Sequence, residues 1–192
     1  MDIANFIGSL NKFDLLVLLA GFGMFVLGFV QGTIRRVLGL AAMLFSFLFA
    51  ANLRDPLGGY LAEQWNQFPD EYAKMLGFGI VFVAATIAFT VVIQGFYHRQ
   101  ALFKKNTVVD EVIGGLLGIV ELMLFVGAGI VILDSFFTLN LPESPDGELG
   151  FLRSIWNEMN SSQTAVLFRD TLIPGFIAVF GFVLPDFIKA MY

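Results

Sequence analysis

The chain has 192 residues, of which 57% are hydrophobic and 14% charged, and its net charge is −5 at pH 7. A soluble domain carries about 25% charged residues, and a chain of this length cannot bury so much apolar surface in one core, so the composition indicates an integral membrane protein. The acidic balance without a basic patch argues against nucleic-acid binding, the lack of cysteine excludes disulfides and thiol catalysis, and a single histidine, His98, argues against a histidine-based zinc site.

Four apolar segments are predicted to cross the membrane. A helix rises about 1.5 Å per residue, so about 20 residues cross a hydrocarbon core of about 30 Å. The first segment lacks the basic flank and the small-residue cleavage site of a signal peptide, so we expect it to be retained. The second is the shortest and has to take a turn from its flanks. The predicted spans are 15–34, 37–53, 75–97 and 112–133.

Arg35 and Arg36 lie between the first two spans. If residues 15–53 formed one helix, both arginines would lie in the middle of the bilayer, where each costs roughly 2.5–3.5 kcal/mol. Two helices joined by a tight turn near Gly32-Thr33 would instead place both at the membrane surface, where they can meet anionic headgroups. The sequence therefore predicts a helical hairpin.

The charges of the loops predict the orientation, because positive side chains concentrate in cytoplasmic loops. The hairpin and the loop 98–111 are basic. The N-terminus, the loop 54–74 and the region from Asp134 onward are acidic. With four spans the two basic connections lie on one side and the acidic segments on the other. We therefore expect both termini outside the cytoplasm of a bacterial inner membrane.

Two of the connecting loops are expected to contain interfacial pieces. The cytoplasmic loop 98–111 is one of them. The other is the outer loop, in which apolar residues recur at helical spacing and predict a short amphipathic helix on the membrane surface. These residues are Leu57, Tyr60, Leu61 and Trp65.

The C-terminal region is predicted to be a tail on a membrane domain. The membrane domain is expected to cover 1–134, and the tail 135–192 begins with a loop rich in proline, glycine and acids. An amphipathic stretch follows, and then the apolar segment 171–185, which Pro174 and Pro185 bound. That segment is short for a span and suits an interfacial, re-entrant or protein-packed helix better. A fifth span, the alternative, would place the C-terminus inside.

Glycines repeat at helical spacing in two of the predicted spans. Gly28 and Gly32 form one G-x-x-x-G step, and Gly114 and Gly118 form another. Small residues let helix backbones approach closely inside a bilayer, where the hydrophobic effect gives helices no reason to associate. Two alternatives fit this pattern, packing within one chain and a homo-oligomer interface.

Glu121 is the one charged residue inside the predicted spans. A carboxylate near the bilayer midplane is expected to be protonated, paired or facing a wet cavity. It is therefore a candidate proton or ion relay, and the alternative is a hydrogen-bonded carboxyl that joins helices. The expected partners are Gln31, Gln94, Ser46, Thr86 and Thr90.

Two acidic residues are expected at helix starts. Asp110 follows Asn106 and Thr107, which could cap a helix, and Asp14 opens the first span. A carboxylate in a first turn is stabilised by the positive end of the helix dipole, so neither residue requires a catalytic role.

No catalytic or cofactor motif stands out. His98 lacks a plausible Ser-His-Asp set, the glycines of the first span follow no strand, and no P-loop pattern occurs. The Glu143/Asp146 pair could bind a cation, although a solvated acidic loop explains it better. We therefore expect a non-enzymatic protein without cofactor or metal.

The order of these motifs resembles the colicin V production protein family, small bacterial inner-membrane proteins of four helices. The resemblance covers about residues 14–185 and rests on "GFVQGTIRRVLGL", "VDEVIGGLLGIVELML" and "SSQTAVLFRDTLIPGFIAVFGFVLP". It implies a role in toxin production or export and in the cell envelope, and it carries over no catalytic residue. The matching positions are Asp14, Gly28, Gly32, Arg35, Arg36, Asp110, Gly114 and Gly118.

The expected function is thus support of toxin production or export, or of envelope integrity, through protein partners within the lipid bilayer. One alternative is a small oligomeric channel or transporter with Glu121 in its path. Another is an accessory subunit of a larger membrane complex.

Overall fold

The computed structural model describes residue 8 and residues 10–96, 107–139 and 147–192. His98, Asn106, the Glu143/Asp146 pair and the side chain of Gln94 lie outside what is described. Within the described ranges the chain is all-α and has no strand, so the predicted fold class of a helical membrane bundle is confirmed.

Four long helices form the bundle and shorter ones form the tail. The bundle helices are α1 (Lys12–Gln31), α2 (Thr33–Gln64), α3 (Asp70–Phe96) and α4 (Thr107–Phe137). The tail has α5 (Gly150–Asn160), α6 (Gln163–Leu167), a π-helical turn (Phe168–Leu172), α7 (Ile173–Phe180) and α8 (Asp186–Met191).

The predicted turn between the first two spans is confirmed at Gly32. This residue has a φ of +80°, which glycine adopts without the steric penalty of a side chain. Its N–H donates to the carbonyl of Gly28 at 2.9 Å and ends α1. The two helices then diverge, because α1 packs mainly along α4 whereas α2 packs along α3 and also contacts α4.

The expected separate surface helix is wrong, since α2 continues without a break past the predicted span 37–53 and has 32 residues. At about 1.5 Å per residue it is about 48 Å long and exceeds the bilayer core. The C-terminal part of α2 from Asn52 onward, which we call its outer part, packs on α3. Gly58 lies against the backbone of Lys74, and the Leu61 side chain covers Gly77. Side-chain packing on α3 thus replaces the membrane surface as the partner of this segment.

The glycines of the two G-x-x-x-G steps face each other within one chain. A Cβ on Gly28 would overlap the carbonyl of Gly114, and a Cβ on Gly118 would overlap the carbonyl of Met24. A Cβ on Gly114 would in turn lie 2.5 Å from the Gly28 oxygen. The α1 and α4 backbones are therefore in direct contact, which is the intrachain alternative.

The interior contains one large apolar cluster that the bundle and the tail share. Phe47 of α2 packs against Phe78 and Phe82 of α3 with ring centroids 5.8 and 6.3 Å apart. Phe176 of α7 packs on the same ring at 5.9 Å, and buried Phe168 also belongs to the cluster. The tail thus contributes to the core of the bundle.

In the described parts of the chain, five helical segments are long and apolar enough to cross a membrane, and the fifth is Gln163–Phe180. Its flanks nevertheless return to one end of the bundle. The backbone N–H of Thr164 donates to Asp14, at the start of α1, and the carbonyl of Val183 accepts from Asn52 in the outer part of α2. These contacts, together with the unbroken helix between them, favour the protein-packed alternative over a fifth span.

A π-helical turn allows this segment to accommodate Pro174. Proline has no N–H and its ring clashes with the carbonyl four residues earlier in an α-helix. Just before it, the Ile173 N–H bonds to the carbonyl of Phe168, five residues back. Such π turns frequently occur at functional sites, and this one directs Phe168 into the core and Arg169 toward α4.

We expect Gly28→Ala to destabilise the protein by about 1–3 kcal/mol, because the new methyl group would meet backbone that cannot move aside. Gly23→Ala is the matched control, since a Cβ at Gly23 has open space around it. It should be neutral or stabilising by up to about 1 kcal/mol, as expected from helix propensity. Thermal unfolding in mild detergent measures both, and equal effects of the two substitutions would contradict the close contact of α1 with α4.

Candidate functional site

Arg36 and Glu121 form an ion pair inside the bundle, between Arg36 Nη1 and Glu121 Oε2. Arg36 lies in the first turn of α2 and Glu121 lies midway along α4, and their side chains are only 6% and 14% exposed. Gly39, one turn beyond Arg36, makes room for the carboxylate, because a Cβ there would lie 2.9 Å from Glu121 Oε1. The carboxylate is therefore held between two helices.

Among the described side chains, Glu121 pairs with Arg36 and not with the partners expected for it, and the surface position expected for Arg36 is wrong. The Gln94 side chain lies outside the described residues. The hydroxyls of Ser46 and Thr86 donate to carbonyls in the preceding turn of their own helices. A charge buried among apolar side chains needs a counter-charge, and the long arginine side chain provides it from the hairpin. The neighbouring Arg35 stays half-exposed at the hairpin.

One polar atom beside this pair has no partner. Within the described residues, Arg36 Nε is buried and makes no hydrogen bond. A buried unsatisfied donor is costly in a folded protein, and such atoms often mark a functional site or an unseen small ligand. The ion pair is therefore the strongest candidate for a polar site within the membrane-spanning part of the described chain.

Asp110 lies at the hairpin end of α4, beside Gly32. Asp110 is 6% exposed, and its backbone carbonyl accepts a hydrogen bond from Thr33 Oγ1 at 2.9 Å. A Cβ on Gly32 would lie 2.6 Å from Asp110 Oδ2, so only glycine leaves space for this carboxylate. Asp110 thereby fixes the start of α4 against the turn between α1 and α2.

Asp14 does more than stabilise the start of its own helix. It forms a capping box with Asn11, in which each side chain accepts a hydrogen bond from the other residue's N–H. It also accepts from the backbone N–H groups of Gln163 and Thr164, at 3.3 and 2.9 Å. One buried carboxylate thus serves the N-termini of α1 and α6, and it ties the tail to the first span.

Asp134 is the centre of a second polar cluster. No pattern in the sequence predicted this cluster. The Asp134 carboxylate is 1% exposed. It accepts from Arg169 Nε and Nη2 at 2.7 and 2.6 Å, from Trp156 Nε1 at 3.0 Å and from the Tyr192 hydroxyl at 2.7 Å. Burial raises the pKa of the Tyr192 phenol, and the Asp134 charge raises it further, so the hydroxyl remains a donor.

Arg54 holds the outer ends of α2 and α3 together. It is buried, and its guanidinium donates to Asp55 and Glu71 at 2.7 and 2.8 Å. The guanidinium also lies 4.5 Å from the ring centroid of Phe187 in α8. The tail is therefore attached to α1, α2 and α4 by polar contacts at the same end of the bundle.

The described residues contain no group of three or more His, Cys, Asp or Glu side chains that could hold a metal ion. The buried charges of the described chain occur instead in pairs and caps that join helices, as for Arg36, Asp14 and Asp134. This arrangement organises a membrane bundle.

The fold defines the chain as a multi-pass helical membrane protein. A family model described as "Colicin V production protein" matches residues 13–172. The chain belongs to the colicin V production protein family. No curated protein and no solved structure matches it.

We expect Glu121→Gln to lower the free energy of unfolding by about 3 kcal/mol, because removing one partner leaves the Arg36 charge buried and uncompensated. The double substitution Arg36→Met with Glu121→Leu should recover most of that loss, since it removes both charges. Unfolding in mild detergent measures these effects.

Glu63→Gln serves as the control for the loss of one negative charge, because Glu63 is exposed near the end of α2. It should change stability by less than about 0.5 kcal/mol. If Glu121→Gln were as mild as this control, the ion pair would not be a structural element of the bundle.

Proposed function

We propose that this protein is a non-enzymatic inner-membrane protein that supports toxin production or export, or envelope integrity, through protein partners. The family membership carries the proposal, since the family model covers most of the chain. The proposed location is the inner membrane of a bacterium, with both termini outside the cytoplasm. The proposal extends to a role as an accessory subunit of a larger membrane complex.

The use of the charged side chains supports a role without catalysis. In the described bundle, Glu121, Asp14 and Asp134 each accept hydrogen bonds or an ion pair from another element. A general acid, a general base or a nucleophile has to be free to reach a substrate. These carboxylates are engaged in holding helices together instead.

The surface of the bundle supports interaction with partners inside the membrane. Helix α1 packs mainly on α4 through its glycine face. Only 11% of the most apolar 18-residue stretch of α1 is buried. Leu19 and Phe22 are 74% and 70% exposed on the remaining surface. Such a helix presents apolar side chains to lipid or to the helices of another protein.

A channel or transporter with Glu121 in its path is the second candidate. It is favoured by one buried atom of the Arg36–Glu121 pair. Arg36 Nε is a hydrogen-bond donor and has no partner within the described residues. Polar groups within a membrane often mark ion or proton pathways. In a channel, the Arg36–Glu121 pair would be exposed to water in a second conformation, in which several copies of the chain line a path.

Complementation of a deletion strain separates the two candidates. The variant that combines Arg36→Met with Glu121→Leu keeps helix packing but removes both intramembrane charges. Support through partners predicts that it restores detergent tolerance and secretion of the toxin-like product as well as the unaltered protein does. The reason is that the ion pair has only a structural role in this proposal.

Failure of this variant to restore either phenotype, although the protein is folded and present in the membrane at normal levels, would contradict support through partners and favour the channel. Purification in mild detergent provides a second readout. Stoichiometric chains of another protein agree with the proposal, whereas a pure homo-oligomer agrees with the channel.

A further inference from the structure

Two cavities lie side by side beneath the tail and differ in chemistry. The inner one has a volume of about 250 Å³ and is lined by apolar side chains of α2, α4 and the tail, including Phe47, Leu124 and Phe176. The outer one has a volume of about 270 Å³ and has Asp134, Arg169 and Asp170 among its lining residues. We call them the apolar cavity and the polar recess.

The same three elements form walls of both cavities. On α4, Val131 lines the apolar cavity and Asp134, three residues on, lines the polar recess. On α8, Ile188 lines the apolar cavity and Met191, three residues on, lines the recess. In the π turn the adjacent residues Phe168 and Arg169 divide in the same way.

The polarity of this pair of cavities follows the polarity of a bilayer. Val120 and Leu124 of the apolar cavity lie near the middle of α4, at the depth of acyl chains. Asp134 and Thr138 of the polar recess lie at the end of that helix, at the depth of headgroups. An amphiphile aligned along α4, with its head toward Asp134, would therefore place its chain and its head in matching surroundings.

The charges of the recess select the type of headgroup. Asp134 and Arg169 form a bidentate pair and neutralise each other. Asp170 is exposed and adds one negative charge to the recess. An anionic headgroup would be repelled, whereas a zwitterionic headgroup can direct an ammonium group toward Asp170.

We propose that the apolar cavity and the polar recess together bind one zwitterionic phospholipid, with an acyl chain in the cavity and an ammonium-bearing headgroup at Asp170. The apolar cavity has room for part of one chain, because its volume of about 250 Å³ is many times the roughly 10–15 Å³ that one water-sized group needs. The inference does not depend on the proposed function, since it rests on the two cavities alone.

Native mass spectrometry of the delipidated full chain tests this site, with phosphatidylethanolamine and phosphatidylglycerol of identical acyl chains added in equal amounts. We expect one phosphatidylethanolamine per chain, retained about fivefold over phosphatidylglycerol, the effect of one charge at a membrane surface. Leu124→Trp should lower this retention about tenfold by filling the apolar cavity. Leu116→Trp is the matched control, because Leu116 is 54% exposed on the same helix and does not line the cavity.

Asp170→Lys tests the headgroup part without altering the Asp134–Arg169 pair. It should reverse the preference toward phosphatidylglycerol. Asp186→Lys makes the same charge change on a side chain that is 99% exposed and outside the recess, and it should not. The proposal is overturned if the two lipids are retained equally by the unaltered protein, if Leu124→Trp behaves as Leu116→Trp does, or if both lysine variants act alike.

Discussion

The arrangement of the tail depends on the hydrogen bonds that its residues donate to the buried carboxylate of Asp134. A charge removed from water is costly unless hydrogen bonds and a counter-charge surround it. Every donor seen on the Asp134 carboxylate comes from the tail. Arg169, Trp156 and Tyr192 donate to it from three separate elements. Since those residues are needed at the end of α4, the chain between them has to leave that end and return to it.

Asp14 imposes the same condition from the other side of the tail. It accepts the backbone N–H groups that open α6, and the first N–H groups of a helix have no partner within the helix itself. Both carboxylates lie at one end of the bundle, and the continuous helical segment Gln163–Phe180 packs there with side chains such as Phe176 in the core. The chain turns only after Phe180. A segment whose length and composition would suit a span thus becomes a helical layer, packed on the bundle, that adds side chains to the core.

The elements that could be predicted from the sequence depend on local signals. The apolar runs predicted the four bundle helices, and Gly32 with the two arginines predicted the turn between α1 and α2. The site residues needed contacts that no local pattern contains. Arg36 and Glu121 are 85 residues apart, and Arg169 lies 35 residues from Asp134. Nothing near Asp134 in the sequence shows that it would receive four hydrogen bonds.

The length of α2 also could not be predicted from a local pattern. Its outer part has the apolar spacing of a surface helix, and periodicity alone does not distinguish a membrane surface from a neighbouring helix as the partner. The contact of Gly58 with Lys74 decides the matter, and it depends on where α3 begins. Local glycine patterns were informative where two motifs face each other, as Gly28 and Gly114 do, because the close approach requires glycine on both helices.

The side of the membrane on which the tail ends tests the central claim most directly. The chain has no cysteine, so Asp186→Cys, Glu63→Cys and Gln31→Cys each give a protein with a single thiol for an impermeant reagent. We expect the thiols at 186 and 63 to be labelled in cells whose membrane is intact, and the thiol at 31 to be labelled only after that membrane is permeabilised. Labelling of position 186 together with position 31 instead of position 63 would show that the tail crosses the membrane and would contradict the account.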